Sequence, residues 1–441
     1  MNRKLLFATI VSALGSFLFG FDTVVISGTN EFLKTYFQLT PLELGLTVSI
    51  ALWGTVIGSI AIGKPGDVYG RKSMLFLCGL LYLLSSLGCA TATGWWVLLS
   101  FRFLGGLAIG AASVMAPMYI AEISPARLRG RLVAVAQFNI VFGILVAFFS
   151  NYLLVDIGDN NWRWMLGVMA IPSALFFLLL FFVPESPRWL VKKSQIDKAR
   201  AVLQKVGAEN VESELGDIVA SLKEASGTGV TKLFQKKYRF AILCAVFLAI
   251  FNQLTGINAI LYYAPTIFKE AGASTDLAML QAVAVGVTNM LFTIVAMFFI
   301  DKLGRKTLLL VGAVGMCLSL AGAGLHDLVG FMSGSGMVVF LVGFIAFFAF
   351  SQGAVIWVFL AEIFPNKVRA KGQALGSFTH WIMNAIIGLL FPVVLAALHV
   401  GPIFLFFAIT MIPFFFFVWK MMPETKGKTL EELEKIVVRE E

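Results

Sequence analysis

Long apolar stretches alternate with short polar segments along the whole chain. Twelve of them reach about 20 residues, the length that an α-helix needs to cross a hydrocarbon core of about 30 Å. They lie at roughly 5–28, 43–64, 74–93, 96–122, 131–154, 162–183, 239–268, 277–300, 306–326, 333–363, 371–396 and 401–422. The pattern therefore predicts an all-α membrane protein with twelve transmembrane helices.

A longer polar segment divides the predicted helices into two groups of six. Its pattern is typical of short amphipathic helices on the membrane face rather than of a separate domain. The predicted organisation is an N-terminal six-helix bundle at 1–183, a cytoplasmic linker at 184–238, a C-terminal six-helix bundle at 239–422 and a cytoplasmic tail at 423–441.

Composition agrees with a membrane protein. Of the 441 residues, 59% are hydrophobic and 13% are charged, whereas a soluble domain has about half and about a quarter. The first apolar stretch is too long for the core of a secretory signal, and it contains Asp22. We therefore expect it to be a transmembrane helix.

The net charge of +9 is unevenly distributed. Most of the 34 lysines and arginines precede the first predicted helix or lie in alternate loops, the linker and the tail. This positive-inside pattern predicts a multi-pass protein of the cell (inner) membrane with both termini in the cytoplasm. The basic excess thus indicates topology and an affinity for anionic lipid, and we expect no nucleic-acid partner.

Three motifs occur once in each half of the chain. Residues 121–129 return about 240 residues later as 361–369, residues 67–72 return as 301–306, and residues 184–186 return as 423–425. Six helices per half with a parallel repeat are typical of a transporter whose site lies between the halves.

The repeated loops are candidates for a gate at the cytoplasmic face. Arginines in a tight turn can bond exposed carbonyls at a helix end and pair with carboxylates of a neighbouring motif. A plain topology anchor is the alternative. The predicted gate residues are Asp67, Arg71, Glu122, Arg129, Glu185, Arg188, Asp301, Arg305, Glu362 and Arg369.

Asp22 is an unusual residue for a membrane-spanning helix. A charge in the bilayer core costs several kcal/mol, so this carboxylate needs a partner, a proton or a water-filled cavity. Arg102, near the start of the fourth apolar stretch, is the best-placed cation. We predict a buried pair that separates when Asp22 is protonated; a purely structural ion pair is the alternative.

Several motifs together resemble the sugar porter family of the major facilitator superfamily over essentially the whole chain. The motifs are Gly20-Phe21-Asp22, Asp67…Gly70-Arg71-Lys72, Pro117-Met118-Tyr119-Ile120-Ala121-Glu122, Arg129-Gly130, Pro184-Glu185-Ser186-Pro187-Arg188-Trp189-Leu190, Gln253-Leu254-Thr255-Gly256-Ile257-Asn258, Tyr262-Tyr263-Ala264-Pro265 and Pro423-Glu424-Thr425-Lys426-Gly427. The resemblance implies an alternating-access sugar carrier. An acid at position 22 is found in proton-coupled bacterial members, whereas facilitative carriers have an amide there.

The seventh predicted helix contains the best candidates for sugar binding. Asn252, Gln253 and Asn258 interrupt an apolar segment, and amides in lipid must find partners. Neutral amides match the donor and acceptor hydroxyls of a sugar without burying a charge. Contacts between helices are the alternative role.

The resemblance extends the sugar site to other helices. The implied residues are Phe19, Gln137, Ile144, Asn289, Trp357, His380, Trp381 and Asn384. Ile144 replaces a glutamine of bacterial xylose symporters, and His380 stands where an amide is usual. We expect His380 to bond sugar, to titrate or to be a passive polar contact, and the tryptophans to stack on sugar or simply to pack.

We conclude from the sequence that the chain is a monosaccharide carrier, coupled to protons through Asp22 and Arg102. A passive facilitator with the same site is the alternative, and a non-transporting sugar sensor is a further one. The expected partners are sugar, protons and the lipid bilayer. We expect a monomer, no cofactor, no metal and no enzymatic activity, since no nucleophile–base set, phosphate loop or metal cluster is present.

In the tenth helix, Ala354 stands where the family usually has proline, so the hinge is less bent or depends on Gly353.

Overall fold

The computed structural model describes residues 2–125, 127–208, 210–227, 233–330, 336–365, 368–428 and 432–434. Side chains are described throughout these ranges except at 129, 130 and 223–227. Within them the regular structure is helical, with no β-strand.

The helices of the first half of the chain are α1 (Arg3–Val25), α2 (Asn30–Phe37), α3 (Pro41–Ala61), α4 (Gly63–Tyr69), α5 (Arg71–Ala90), α6 (Trp95–Ile123), α7 (Arg129–Leu154), α8 (Asn161–Gly167), α9 (Ala170–Leu179), α10 (Pro187–Lys192), α11 (Ile196–Val206) and α12 (Val211–Gly227). Those of the second half are α13 (Arg239–Leu254), α14 (Ile257–Glu270), α15 (Thr275–Leu303), α16 (Arg305–Val329), α17 (Gly336–Phe350), α18 (Gln352–Glu362), α19 (Arg369–Leu398) and α20 (Val400–Lys420). Short 3₁₀ turns occupy Ile26–Gly28, Leu180–Phe182 and Lys236–Tyr238.

In the described ranges, 12 helical segments are long and apolar enough to cross a membrane. They coincide with the predicted stretches within a few residues, so the predicted fold class is confirmed. Some segments contain two helices in succession, such as Asn161–Phe182, Lys236–Glu270 and Gly336–Glu362. Because an uncapped helix end exposes backbone groups, such interruptions are tolerated in a membrane where other groups cover them.

The seventh and tenth spans are interrupted near their candidate binding residues. Helix α13 ends before Gly256, whose φ of 81° lies in the left-handed region that glycine adopts without strain. Helix α14 kinks at Tyr263, two residues before Pro265, which lacks the N–H of a regular helix. In the tenth span the break is at Ser351 (φ −118°, ψ −91°), two residues before the predicted hinge residue Gly353.

Backbone contacts divide the chain into two compact units. The first consists of Met1–Val25, Ile50–Ser150 and Asp156–Val230, and the second of Ile26–Ser49, Asn151–Val155 and Thr231–Glu441. In the first unit α6 packs on α1 and α5, and α10 and α11 pack together. In the second, α16 packs on α17 and α20, and α13 packs on α19. These units group the chain differently from the predicted bundles, whose boundaries stay a prediction.

Glycines allow α1 and α7 to approach closely within the first unit. A Cβ at Gly20 would collide with the backbone carbonyl of Ile140, and one at Gly143 would collide with the carbonyl of Phe17. Small residues at such crossings are typical of membrane helices, which gain from close backbone packing. Gly20 of the Gly-Phe-Asp motif therefore fixes the helix that carries Asp22.

Candidate functional site

The first unit contains a buried ion pair between two membrane-spanning helices. Arg102 Nη1 of α6 lies 3.1 Å from Asp22 Oδ1 of α1. Asp22 is 3% exposed and Arg102 is 2% exposed. In the described part of the chain, Asp22 Oδ2 and Arg102 Nε have no hydrogen-bond partner. The pair is therefore shielded from solvent but incompletely satisfied.

The surroundings of the free carboxylate oxygen are small and polar. A Cβ at Gly105 would lie 3.2 Å from Asp22 Oδ2 and 2.5 Å from Ser85 Oγ. Ser85 Oγ donates to the carbonyl of Phe101 at 2.7 Å. The hydroxyl of Tyr82 is buried on the same helix as Ser85, without a partner among the described residues. Glycine at position 105 thus leaves the carboxylate room that any larger residue would fill.

The ion pair does not lie at the centre of its helices. At 1.5 Å per residue, Asp22 is about 9 Å from the end of the span Arg3–Gly28. Arg102 is likewise about 10 Å from the start of α6. The pair therefore lies nearer the C-terminal end of the first span and the N-terminal end of α6 than the middle of either helix.

A cluster of polar side chains surrounds Gln253 in the second unit. Its Nε2 donates to Asn252 Oδ1 at 3.0 Å, and its Oε1 accepts from Asn258 Nδ2 at 2.8 Å. The same Nε2 lies 3.1 Å and 3.2 Å from the two ring nitrogens of His380. The helix break at Gly256 allows residues on α13 and α14 to meet in this way. The cluster presents both donors and acceptors.

Aromatic side chains flank His380 on two sides. The ring centroids of Trp357 and Trp381 lie 5.0 Å and 5.3 Å from that of His380. Trp381 is buried, whereas Trp357 is 36% exposed. Asn384 Nδ2 donates to the hydroxyl of Tyr262 at 2.9 Å. Indole faces beside amide and imidazole groups form a surface that is apolar on one side and polar on the other.

The structure thus brings Asn252, Gln253, Asn258, Trp357, His380 and Trp381 together, and places Asn384 against Tyr262. Asn289 is buried on α15 of the same unit. The remaining sugar-site candidates belong to the first unit: Ile144 is buried, and Phe19 and Gln137 are half-buried.

Arg71 is the centre of a charge network in the first unit. It lies 2.9 Å from Glu122 and 3.0 Å from Asp67, and its Nη1 donates to the carbonyl of Gly66 at 2.8 Å. Lys192 pairs with the other oxygen of Asp67 at 3.0 Å. Burial acts to raise the pKa of Asp67, but the hydrogen bonds and charges of Lys192 and Arg71 outweigh it and lower the pKa.

Glu185 joins this network from the segment after the sixth span. Its Oε1 accepts from the backbone N–H groups of Ser186 at 2.8 Å and Lys72 at 3.1 Å. Burial raises the pKa of Glu185, against the opposing effect of these bonds. The hydroxyl of Ser186 donates to Glu122. The ends of α4, α5, α6 and α10 are therefore tied to one set of charges.

The second unit repeats this arrangement. Arg305 lies 2.9 Å from both Glu362 and Asp301, and its Nη1 donates to a helix-end carbonyl, that of Ile300, at 3.2 Å. Glu424 accepts from the backbone N–H of Arg305 at 2.9 Å, and Thr425 Oγ1 donates to Glu362 at 2.6 Å. In each network one glutamate accepts from backbone N–H groups at the start of a helix. A hydroxyl donates to a second glutamate, the one that pairs with the arginine.

Two predicted gate arginines stand apart from these networks among the described residues. Arg188 is exposed, and Arg369 Nε donates to the carbonyl of Phe364 at 3.2 Å. The side chain of Arg129 lies outside the described residues. Sequence reasoning did not assign Ser186, Glu424 and Thr425, although Pro-Glu-Ser at 184–186 returns as Pro-Glu-Thr at 423–425. That repeat was the signal that could have identified them.

Comparison with known proteins agrees over nearly the full length. Residues 8–437 match the family described as sugar (and other) transporter. The D-xylose–proton symporter of Escherichia coli is 37% identical over 99% of this chain and 96% of its own. The glucose transport protein of Synechocystis is 38% identical over 96% of this chain and 95% of its own.

A solved structure has the same fold. The inward-open conformation of the xylose transporter from Escherichia coli superposes with a TM-score of 0.87 and 34% identity, covering 98% of this chain and 99% of that one. The family and its structural neighbours are sugar transporters and not enzymes. The chain is therefore a multi-pass membrane protein of the sugar porter family of the major facilitator superfamily.

Proposed function

We propose that this protein is a monosaccharide–proton symporter of the cell membrane, with both termini in the cytoplasm. The Asp22–Arg102 pair couples the proton, and the cluster around Gln253 binds the sugar. The observation that carries this proposal is the buried carboxylate with one oxygen on Arg102 and the other without a partner among the described residues. One relative is named a xylose–proton symporter and another a glucose transport protein, which supports a hexose or a pentose as substrate.

Protonation of Asp22 removes an electrostatic attraction that is large enough to shift a conformational equilibrium. Two unit charges about 4 Å apart attract by about 4 kcal/mol at an effective dielectric constant of 20. A proton on Asp22 removes this attraction and frees Arg102, whose side chain has no other hydrogen-bond partner among the described residues. A ligand can shift a conformational equilibrium only by its different affinity for the two states, and the proton supplies such a difference here.

The position of the pair sets the side from which the proton arrives. Asp22 is about 9 Å from the end of its span that leads into α2. In the proposed topology this is the external face. Protons thus reach Asp22 from outside over a short path, as coupling to an inward proton gradient requires.

The cluster around Gln253 can form both hydrogen bonds and apolar contacts with a sugar ring. Its amides and the imidazole of His380 can exchange hydrogen bonds with hydroxyl groups, because each hydroxyl both donates and accepts. Trp357, partly exposed beside His380, offers an indole face for the apolar C–H side of a pyranose. In the absence of sugar these groups bond one another, so sugar binding exchanges one set of hydrogen bonds for another.

The two charge networks serve as gates in this proposal. Each ties neighbouring helix ends through one arginine, Arg71 or Arg305, and a carboxylate on the next motif. Such partly buried networks have discrete arrangements, made or broken, and therefore suit a carrier that alternates between two states. Arg129, Arg188 and Arg369 stay gate candidates from the sequence.

Uptake by purified protein in sealed vesicles tests the function. Labelled glucose, galactose, xylose, arabinose and fructose are each tested for uptake under an inward proton gradient. We expect at least one monosaccharide to be accumulated above its external concentration and a protonophore to abolish the accumulation. Uptake that only equilibrates, with or without the gradient, would identify a passive facilitator and reject the coupling.

A further inference from the structure

A groove of about 470 Å³ lies where the first span begins and the sixth span ends. Three of its lining residues are cationic, and the others are apolar. They are Arg3, Lys4 and Lys205, with Phe7, Phe182, Val183, Pro184 and Val206. The groove lies at the opposite end of α1 from Asp22, and no residue assigned to the sugar site or the gates lines it.

The three cations are exposed. In the described part of the chain, no carboxylate lies within salt-bridge distance of Arg3, Lys4 or Lys205. The acid closest in sequence to the groove, Glu185, instead bonds backbone N–H groups. Three positive charges therefore converge on one groove without compensation, which favours an anionic ligand.

The apolar part of the groove is open to the hydrocarbon boundary. Phe182 is 76% exposed and Phe7 is 38% exposed, although both belong to membrane-spanning segments. Such rings are stable on a protein surface when acyl chains cover them. The groove thus joins a cationic end to an apolar floor, the two parts of a phospholipid.

The walls of the groove are fixed by buried contacts. Leu5 and Val206, next to the lining cations, are each 1% exposed. A Cβ at Gly207 would lie 2.7 Å from Asn2 Nδ2, so the end of α11 packs against the start of α1. The carbonyl of Pro184 accepts from the hydroxyl of Tyr119 at 2.6 Å. The segments that line the groove are therefore held together by packing.

We propose that this groove binds an anionic glycerophospholipid of the leaflet on that side, which is the cytoplasmic leaflet in the proposed topology. The phosphate lies among Arg3, Lys4 and Lys205, and an acyl chain covers Phe7 and Phe182. The apolar floor favours a lipid over a free phosphate, which would leave these rings uncovered. A bound lipid bridges α1 and α11 and so holds the linker helix on the first bundle. Lipid binding at this groove rests on the proposed membrane topology but not on proton coupling.

Lipid binding is measured by native mass spectrometry of the detergent-purified full chain, titrated with palmitoyl-oleoyl phosphatidylglycerol or phosphatidylcholine. Wild type should prefer phosphatidylglycerol, and millimolar inorganic phosphate should not displace it. Each cation near an anionic lipid contributes about a fivefold change in affinity. The variant Arg3→Gln/Lys4→Gln/Lys205→Gln should therefore lose about a hundredfold of the preference.

The matched control removes the same amount of charge from other segments that are cytoplasmic in the proposed topology. Lys193, Lys198 and Lys237 are exposed and do not line the groove, so replacing all three by glutamine should preserve the preference. Equal losses in both variants, no loss in the groove variant, or displacement by inorganic phosphate would each overturn the proposal. If the triple variant does not fold, Lys205→Gln alone is measured instead, and it should lose about fivefold of the preference for phosphatidylglycerol.

Discussion

Replacing Asp22 by asparagine removes a titratable group while keeping nearly the same shape. The amide oxygen can still accept a bond from Arg102 Nη1, now 3.1 Å from the carboxylate. What is lost is the proton-dependent charge. We therefore expect Asp22→Asn to keep sugar binding and exchange but to lose accumulation against a gradient.

The size of both effects follows from the geometry. Removing one partner of a buried ion pair costs about 3–5 kcal/mol, since the other charge is left uncompensated. Because asparagine retains one acceptor, we expect a loss of stability near 3 kcal/mol, measured as a lower midpoint of thermal unfolding in detergent. A gradient of one pH unit supplies about 1.4 kcal/mol per proton, or about tenfold accumulation, and this factor should fall to one.

The assay compares accumulation with counterflow in vesicles of wild type, Asp22→Asn and a control. Asp276→Asn removes an exposed carboxylate and should accumulate sugar as wild type does. The double variant Asp22→Asn/Arg102→Gln removes both charges, so its stability should exceed that of the single variant. Accumulation by Asp22→Asn equal to that of wild type would refute the coupling role; loss of counterflow in the stable double variant would show that the pair is needed for every transport step.

Single substitutions at other sites test the sugar contacts, the space beside Asp22 and the gate network. His380→Gln keeps a hydrogen-bonding group beside the indoles and should retain sugar uptake, whereas His380→Ala should raise the sugar KM about tenfold, the value of one bond in a buried site. Gly105→Ala places a methyl group 2.5 Å from Ser85 Oγ, so coupled uptake should fall and Ser85→Ala should partly restore it. Gly63→Ala, with no atom within 4 Å of the added Cβ, should transport normally. Ser186→Ala removes the donor to a carboxylate and should lower the free energy of unfolding by about 1.5–3 kcal/mol, while Ser186→Thr, the residue of the repeat, should not.

The fold was largely predictable because a membrane restricts the possibilities. Apolar length alone identifies a spanning helix when every backbone group must be satisfied internally. Pairing of Asp22 with Arg102 was predictable for a related reason, since a charge in hydrocarbon needs a countercharge and few were available. The bonds of Arg71 and Arg305 to helix-end carbonyls followed from the repeated turn that carries them.

The remaining features depend on packing that a sequence pattern does not contain. Ser351 is not a helix breaker by propensity, so the interruption there results from tertiary contacts. The bond between Asn384 and Tyr262 joins residues on different helices, and nothing local indicates it. Glu424 and Thr425 were visible in the repeat, but a carboxylate and a hydroxyl after a helix have many ordinary roles.

The most direct test of proton coupling is the proton movement that accompanies sugar entry. Vesicles containing the purified protein are suspended in a weakly buffered medium with no proton gradient, and the external pH is recorded when a transported sugar is added. The buried pair of Asp22 and Arg102 predicts immediate alkalinisation of the medium that is absent in Asp22→Asn. Sugar entry with an unchanged external pH in wild type would contradict the account.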